Sequence, residues 1–166
     1  MFEIIGLVGT LIIFFIFVNG ILALFIRSLP SKVFDETRFV YQMMMWEKRF
    51  YQQMKITRWK NKLAQAGWMQ GFSRRSLPKI IDVAYTQRFI WETCCAMLGH
   101  FVMAFAGLLL PFIILLPWVH NNKTLLACLW GLAIFHFFVH ILYVMIQRYN
   151  LPRFVQLNKR IKLNHN

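Results

Sequence analysis

The sequence predicts an all-α integral membrane protein with three transmembrane helices, an amphipathic helix in the cytoplasmic interface, the N-terminus outside and the C-terminus inside. Three observations carry this. The chain is 58% apolar and 17% aromatic over 166 residues, more than a soluble domain of that length can bury. Three stretches, residues 4–26, 94–116 and 124–146, contain no Asp, Glu, Lys or Arg. Each is long enough to cross a hydrocarbon core of about 30 Å, which takes roughly 20 helical residues. Finally, of the 19 Lys and Arg, thirteen lie between Arg27 and Arg88 and five between Arg148 and Lys162, with Lys123 alone between the second and third stretches. Three crossings put the two basic groups on one side, and positive residues are retained in the cytoplasm.

The same distribution interprets the formal net charge of +13. Basic residues that flank apolar spans set topology and grip anionic head groups, so the partner they imply is membrane lipid and not nucleic acid. The chain reads as a single membrane domain, residues 1–166, with a basic interfacial region at 27–93 and a basic tail at 147–166. It shows no internal repeat and no low-complexity run.

Taken in order, the first stretch reads as a permanent anchor. Met1-Phe2-Glu3 supplies no positive leader, and the apolar run exceeds the roughly 7–15 residues of a signal peptide. It stops at Arg27-Ser28-Leu29-Pro30, where charge and then proline end a lipid-facing helix. From 39 to 66 the pattern is amphipathic, with Val40, Met43, Met44, Tyr51 and Met54 at helical spacing and Arg38, Lys48, Lys55 and Lys62 elsewhere on the wheel. Gly67 and Gly71 mark its end, and a basic loop follows to Pro78, with Ser76 as a candidate cap. The next helix is expected from Lys79 through Arg88 and Glu92 into the second span, bent and ended by Pro111 and Pro117. Cys94, Cys95 and Cys128 form neither a disulfide framework nor a zinc-like spacing, and read as apolar packing.

Several polar residues do not suit a bland anchor. Glu47 falls three or four residues from Met43, Met44, Phe50 and Tyr51, in the middle of an apolar face, so it needs a salt-bridge partner (Lys48, Arg49 or the tail) or a chemical task. Glu92 lies at the mouth of the second span, one turn after Arg88. An ion pair between them is the simple reading, and an acidic group so near the bilayer is also a site candidate. His100 lies deep in the second span, and His136 and His140 share a face of the third. Three imidazoles in two spans can act as bases, bind a metal or haem, or bond across helices. Eight residues, about 12 Å of helix rise, separate Glu92 from His100, so the two cannot touch directly.

Three blocks resemble a known family, the glycosyl-4,4′-diaponeurosporenoate acyltransferases of Gram-positive bacteria. Gln147-Arg148-Tyr149-Asn150-Leu151-Pro152-Arg153 is similar to the family's Q-R-Y-N-x-P-R, the most specific of the three. The run from Arg88 to His100 resembles a segment built on E-T-x-R-A-E-L-x-H, and Trp59-Lys60-Asn61-Lys62-Leu63 with the loop Gly71-Phe72-Ser73-Arg74-Arg75 resembles W-K-x-x-L and a basic glycine loop. Glu47 matches an acidic residue upstream of that tryptophan. Cys95 stands where the family has arginine, and Met97 where it has a second glutamate. His140 stands where a smaller polar residue, often Asn, is expected.

The resemblance implies a multi-pass cell-membrane enzyme that esterifies a fatty acyl group onto a sugar hydroxyl of a glycosylated carotenoid or related glycolipid. The acyl donor, such as acyl-CoA, would be a co-substrate, with no cofactor and no metal. On that basis the catalytic candidates are His100 as general base with Glu92 or Glu47 orienting the sugar. The substrate-binding candidates are Arg148, Tyr149, Asn150, Arg153, Trp59, Lys60 and Arg88. Trp59 and Tyr149 equally suit anchoring at the interface. No G-x-S-x-G elbow is present, so direct transfer is expected in place of a serine acyl-enzyme. Two further classes stay open: a non-catalytic partner in a lipid- or carotenoid-modifying complex, suggested by Cys95 and Met97, and a His-ligated haem or metal redox protein.

Overall fold

The computed structural model describes residues 2–63 and 81–164. In chain order the elements are α1 (Phe2–Ser28), a single 3-10 turn (Ser31–Phe34), α2 (Met45–Gln53), α3 (Ile56–Trp59), α4 (Val83–Val119) and α5 (Lys123–Asn164). No strand occurs among the described residues. Three helices are long and apolar enough to cross a membrane: α1, α4 and α5.

These helices form because each span is a run of residues whose only way to satisfy backbone polar groups in lipid is internal hydrogen bonding. On α1, Ile13, Ile16 and Leu24 are 69–73% exposed while Leu11 is fully buried, so most of its surface is left for lipid. Ser28 ends it by donating its hydroxyl to the Phe25 carbonyl at 2.7 Å, beside Arg27. At the other end of the membrane span, the 120–122 turn is tied by Asn122 Oδ1, which accepts the Thr124 and Leu125 N–H groups at 3.1 and 3.2 Å and caps α5.

The described chain clusters into two compact units, residues 1–33 with 95–144, and residues 34–94 with 145–166. The first contains α1 and the facing parts of α4 and α5. Its core has Leu11 and Leu129 fully buried, packed by Leu7, Phe15, Phe112, Leu115 and Leu125. The second contains α2, α3 and the outer parts of α4 and α5. Phe89 stacks on Phe154 with centroids 3.5 Å apart, and the Thr86 hydroxyl donates to Asn158 Oδ1 at 2.9 Å in a buried bond. Both long helices therefore outrun a bilayer: 37 residues of α4 and 42 of α5 rise about 55 and 63 Å at 1.5 Å per residue.

Four sequence expectations change here. The amphipathic stretch is two short helices and not one, because Lys55 takes a left-handed backbone conformation (φ 48°, ψ 43°) that breaks the run between Gln53 and Ile56. Its buried side is the pair Glu47 and Tyr51, whereas Val40 and Met54 are exposed along with Met45, Trp46 and Phe50. The polar pairing of Glu47, and not apolar count alone, decides which face turns inward. The helix into the second span starts at Val83, after the non-helical residues 81 and 82, with Asp82 as its cap: Asp82 Oδ1 accepts the Tyr85 N–H at 2.7 Å. Finally, α4 passes both Pro111 and Pro117 to Val119, and α5 continues unbroken through Pro152, so the basic tail is helical to Asn164. Gly67, Gly71 and the basic loop with Arg74, Arg75, Ser76, Pro78 and Lys79 lie outside the described residues.

Candidate functional site

The residues singled out by sequence fall into two constellations, one in each unit. In the unit of residues 34–94 and 145–166, Glu47 begins α2 and turns its carboxylate back over the first turn. Oε2 accepts the Met44 N–H at 2.7 Å, which stops the helix from extending upstream. Oε1 takes the Arg148 guanidinium at 3.2 Å and the Tyr51 hydroxyl at 3.2 Å. Glu47 is 5% exposed and the Arg148 side chain 18%, so this is a largely desolvated pair. Arg148 also donates to the Gln42 carbonyl, and its Nε–H is buried with no hydrogen-bond partner among the described residues. Burial, then the negative charge of Glu47, pushes the Tyr51 phenol well above its ordinary range, which keeps it a proton donor.

Two residues further along α5, Asn150 Oδ1 accepts from Lys60 Nζ at 2.8 Å, and Lys60 Nζ lies 5.1 Å from the centre of the Tyr149 ring. Arg153 lies 4.1 Å from the same ring and donates to the Tyr149 hydroxyl. Tyr149 is thus a platform that holds two cations close together. Burial, with Arg153 adding repulsion, holds the Lys60 ammonium below the usual lysine range. Lys60 thus occupies the carbonyl oxygen of the Asn150 amide. Trp59 spends its indole N–H on the Met54 carbonyl at 2.9 Å and so clasps the turn between α2 and α3. Glu92 is buried on α4, at 4% exposure, while Arg88 is exposed.

The unit of residues 1–33 and 95–144 holds the histidines. His100 Nδ1 is 2.9 Å from His140 Nδ1, and His140 Nε2 is 3.1 Å from His136 Nε2. Asn19 of α1 joins them: its side-chain N–H reaches His136 Nε2 at 3.1 Å and His140 Nε2 at 3.4 Å. Aromatic rings fix the imidazole planes, Tyr143 stacking on His100 at 4.7 Å and Phe15 on His136 at 4.2 Å. Gly107 makes room, since a Cβ there would lie 2.1 Å from His136 Nδ1. Neither Asn19 nor Gly107 was singled out from sequence. Asn19 had a readable signal, a carboxamide in a span where polar groups are costly. Gly107 had none, since its role depends on which side chain faces it. No group of three His, Cys, Asp or Glu side chains suited to a metal ion occurs among the described residues. Cys94, Cys95 and Cys128 are not joined in a disulfide, and the first two are buried.

The family model described as glycosyl-4,4′-diaponeurosporenoate acyltransferase matches residues 30–160, most of the chain. The chain belongs to this acyltransferase family. No curated protein and no solved structure matches it. The matched range covers Glu47, Lys60, Glu92, His100, His140 and the Arg148–Arg153 block, whereas Asn19 of the histidine cluster lies upstream of it. Family membership and three membrane-crossing helices together make this a membrane protein of an acyltransferase family of carotenoid biosynthesis. Cys95 and Met97, the two positions where the resemblance implies charge, are 4% and 2% exposed.

Proposed function

We propose that this protein transfers a fatty acyl group from an activated donor to a sugar hydroxyl of a glycosylated carotenoid or related glycolipid, on the cytoplasmic side of the cell membrane of a Gram-positive bacterium. Acyl transfer needs a base for the hydroxyl proton, a stabiliser for the carbonyl oxygen as charge develops, and surroundings poor in water. The observation that carries the reading is His100 itself. It is a titratable group in an apolar span, with its Nδ1 engaged by His140 and its ring held by Tyr143.

In this reading His100 takes the hydroxyl proton, and Glu92, buried near the cytoplasmic end of α4, orients the sugar. Glu47 acts one step removed: both of its oxygens are occupied, so it holds Arg148 in place and leaves the sugar to Glu92. Arg148, Lys60 and Arg153 bind an anionic donor such as an acyl-CoA, the arginines through forked contacts to phosphate. Asn150 acts within the donor-binding group, where its carbonyl oxygen accepts from Lys60 and fixes the ammonium. Arg88 and the exposed apolar residues Met45, Trp46 and Phe50 meet anionic lipid and the interface.

A second reading, a non-catalytic partner of a lipid-modifying complex, draws on Cys95 and Met97. Both positions are buried, so apolar groups there are structurally inexpensive where a charged pair was. Lipid mass spectrometry separates the two. Cells supplied with a glycosylated carotenoid should accumulate its acyl ester when they express the wild-type chain and not when they express His100→Ala at matched level. Identical profiles for wild type, variant and empty vector would reject the acyltransferase reading and favour the partner.

A further inference from the structure

Lys60 and Arg153 are gathered on one aromatic ring with no carboxylate to neutralise them. We infer that Lys60, Arg153 and the Tyr149 ring form a site for the terminal phosphate of an amphiphile whose acyl chain lies in the bilayer. This rests on the reading of the basic group as the donor site, and it narrows the donor to an acyl chain that carries its phosphate directly, such as an acyl phosphate, in place of a soluble nucleotide carrier.

Tyr149 and Arg153 are four residues apart on α5 and so share a face. The Arg153 guanidinium reaches back one turn, lies 4.1 Å from the centre of the Tyr149 ring and donates to its hydroxyl. Lys60 comes to the same ring from the segment that follows α3, with Nζ 5.1 Å from the centre. The two cations are therefore no more than about 9 Å apart. Their supports are fixed. The ring meets the buried Tyr51 edge-on with centroids 6.4 Å apart, Asn150 Oδ1 holds Nζ at 2.8 Å, and the Lys60 backbone N–H donates to the Ile56 carbonyl at 3.0 Å.

The chain has six acidic residues, and among the described residues no carboxylate pairs with Lys60 or Arg153. Glu47 is committed to Arg148, Asp35 to Thr37 and Asp82 to the start of α4. Burial and then the repulsion of Arg153 hold the Lys60 ammonium below the usual lysine range, the mark of two like charges kept together. Lys60 is half-buried and Arg153 exposed, and each spends one N–H inside the protein, so most of their donors face a ligand that can reach them. A terminal phosphate, with roughly two negative charges near neutral pH, matches two cations, whereas a phosphodiester brings one.

Depth selects the carrier. The apolar stretch of α5 ends at Ile146, so Tyr149 stands about 5 Å of helix rise beyond it. Head groups occupy roughly 5–8 Å on each side of the hydrocarbon core, so cations gathered on Tyr149 lie at the level of lipid phosphates. A phosphate joined directly to an acyl chain reaches that level with its chain still in lipid. A nucleotide carrier instead sets its phosphates a long linker away from the acyl carbon. Transfer from such a donor balances without another reactant. The sugar oxygen bonds to the acyl carbon as its proton goes to the general base, the bond from that carbon to the phosphate oxygen breaks, and inorganic phosphate leaves with the proton. Lys60 and Arg153 stabilise the charge that collects on the departing phosphate.

The test uses full-length protein in phosphatidylcholine nanodiscs, with phosphorus-31 NMR following dodecyl phosphate, a terminal phosphate on a chain that cannot be transferred. Binding should saturate, and phosphatidylglycerol, coenzyme A and inorganic phosphate should each displace it only at about tenfold or higher concentration. Lys60→Met and Arg153→Gln should each weaken binding about tenfold or more, and Arg160→Gln, at the exposed end of the same helix, less than about twofold. Thermal unfolding checks each variant, and the exposed Arg153 keeps the comparison decisive if Lys60→Met does not fold. Displacement at equal concentration by any of the three competitors, an equal loss in Arg160→Gln, or the absence of saturable binding overturns the proposal. Acyl ester formed from dodecanoyl-CoA but not from dodecanoyl phosphate also overturns it and leaves the acyltransferase reading intact. If dodecyl phosphate binds as expected but neither donor yields an ester, the phosphate site stands and the acyltransferase reading falls.

Discussion

Replacing Glu47 with Gln isolates the contribution of one charge, because the amide keeps an oxygen for the Met44 N–H and nearly the same shape. What it removes is the partner of Arg148. Breaking a fully buried ion pair from one side costs about 3–5 kcal/mol, since the remaining charge is left without compensation. Arg148 is not fully buried: its side chain is 18% exposed, and the Gln42 carbonyl still accepts one of its N–H groups. Water and that carbonyl recover part of the loss, which brings the expected cost of Glu47→Gln to about 2–3 kcal/mol. At about 2–4 °C per kcal/mol for a chain of this size, the unfolding midpoint in detergent should fall by roughly 4–12 °C. Arg148→Met should be as harmful alone, but the double variant should recover, because two apolar groups leave no orphaned charge. Thermal unfolding of the four proteins gives the cycle. Costs of the two single variants that simply add, or a Glu47→Gln midpoint within 1 °C of wild type, would refute the view that this pair holds Arg148 in place.

Gly107→Ala should lower the midpoint by the equivalent of about 1–3 kcal/mol, because the added Cβ would meet His136 Nδ1 at 2.1 Å. The loss should shrink in a His136→Ala background, and an undiminished loss would locate the clash elsewhere. Lys55→Gly should be neutral or stabilising by up to about 1 kcal/mol, since glycine accepts the left-handed backbone that a side chain resists. A clear loss of stability would mean the Lys55 side chain does more than occupy the turn. Lys60 has a depressed pKa in the folded protein, so its charge is lost at a pH below that of an ordinary lysine. Between its folded and unfolded pKa values the unfolded chain binds more protons, so its contribution to stability rises with pH, while its hold on an anionic donor weakens. Donor KM should therefore climb at a lower pH in wild type than in Arg153→Gln, where one source of repulsion is gone. Coincident pH profiles would remove Arg153 as a cause.

The spans were legible because lipid imposes a simple demand. A helix that crosses hydrocarbon must be long, apolar and internally bonded, and α1, α4 and α5 meet that demand in sequence as in structure. Their overhang was not legible. Residues 83–93 and 147–164 are mixed in polarity, and their helices persist because Phe89 finds Phe154 and Thr86 finds Asn158, partners 65 and 72 residues away. Position alone cannot announce such pairs. Glu47 shows the same limit: a carboxylate on an apolar face declares that a partner exists, and the tail was one candidate among several. Only the fold makes that partner Arg148. The break at Lys55 was hidden for a different reason, since lysine carries no propensity for the left-handed region and the turn is enforced by its neighbours.

The division of chemistry between the two units follows from the energetics of charge. Residues 95–117 and 124–144 contain no Asp, Glu, Lys or Arg, so any proton transfer there must use groups that are neutral at rest. Histidine is the side chain that meets this condition and still accepts a proton near neutral pH. A carboxylate beside His100 would carry a permanent charge into the span, and its desolvation would have to be met even when no substrate is bound. A second imidazole, His140, meets His100 at 2.9 Å with no such standing cost. Glu47, Arg148, Lys60 and Arg153 are grouped instead in the unit that lacks the first span, where the outer segment of α5 carries five basic residues, Arg148, Arg153, Lys159, Arg160 and Lys162. Charge can be held there because ion pairs and water share its cost. Moving a charge between these two settings is therefore the decisive perturbation: Asn19→Asp should damage the histidine unit far more than Asn150→Asp damages the basic one. Thermal unfolding of the two variants measures the difference, and equal losses would show that charge is no harder to place beside the histidines than beside Lys60.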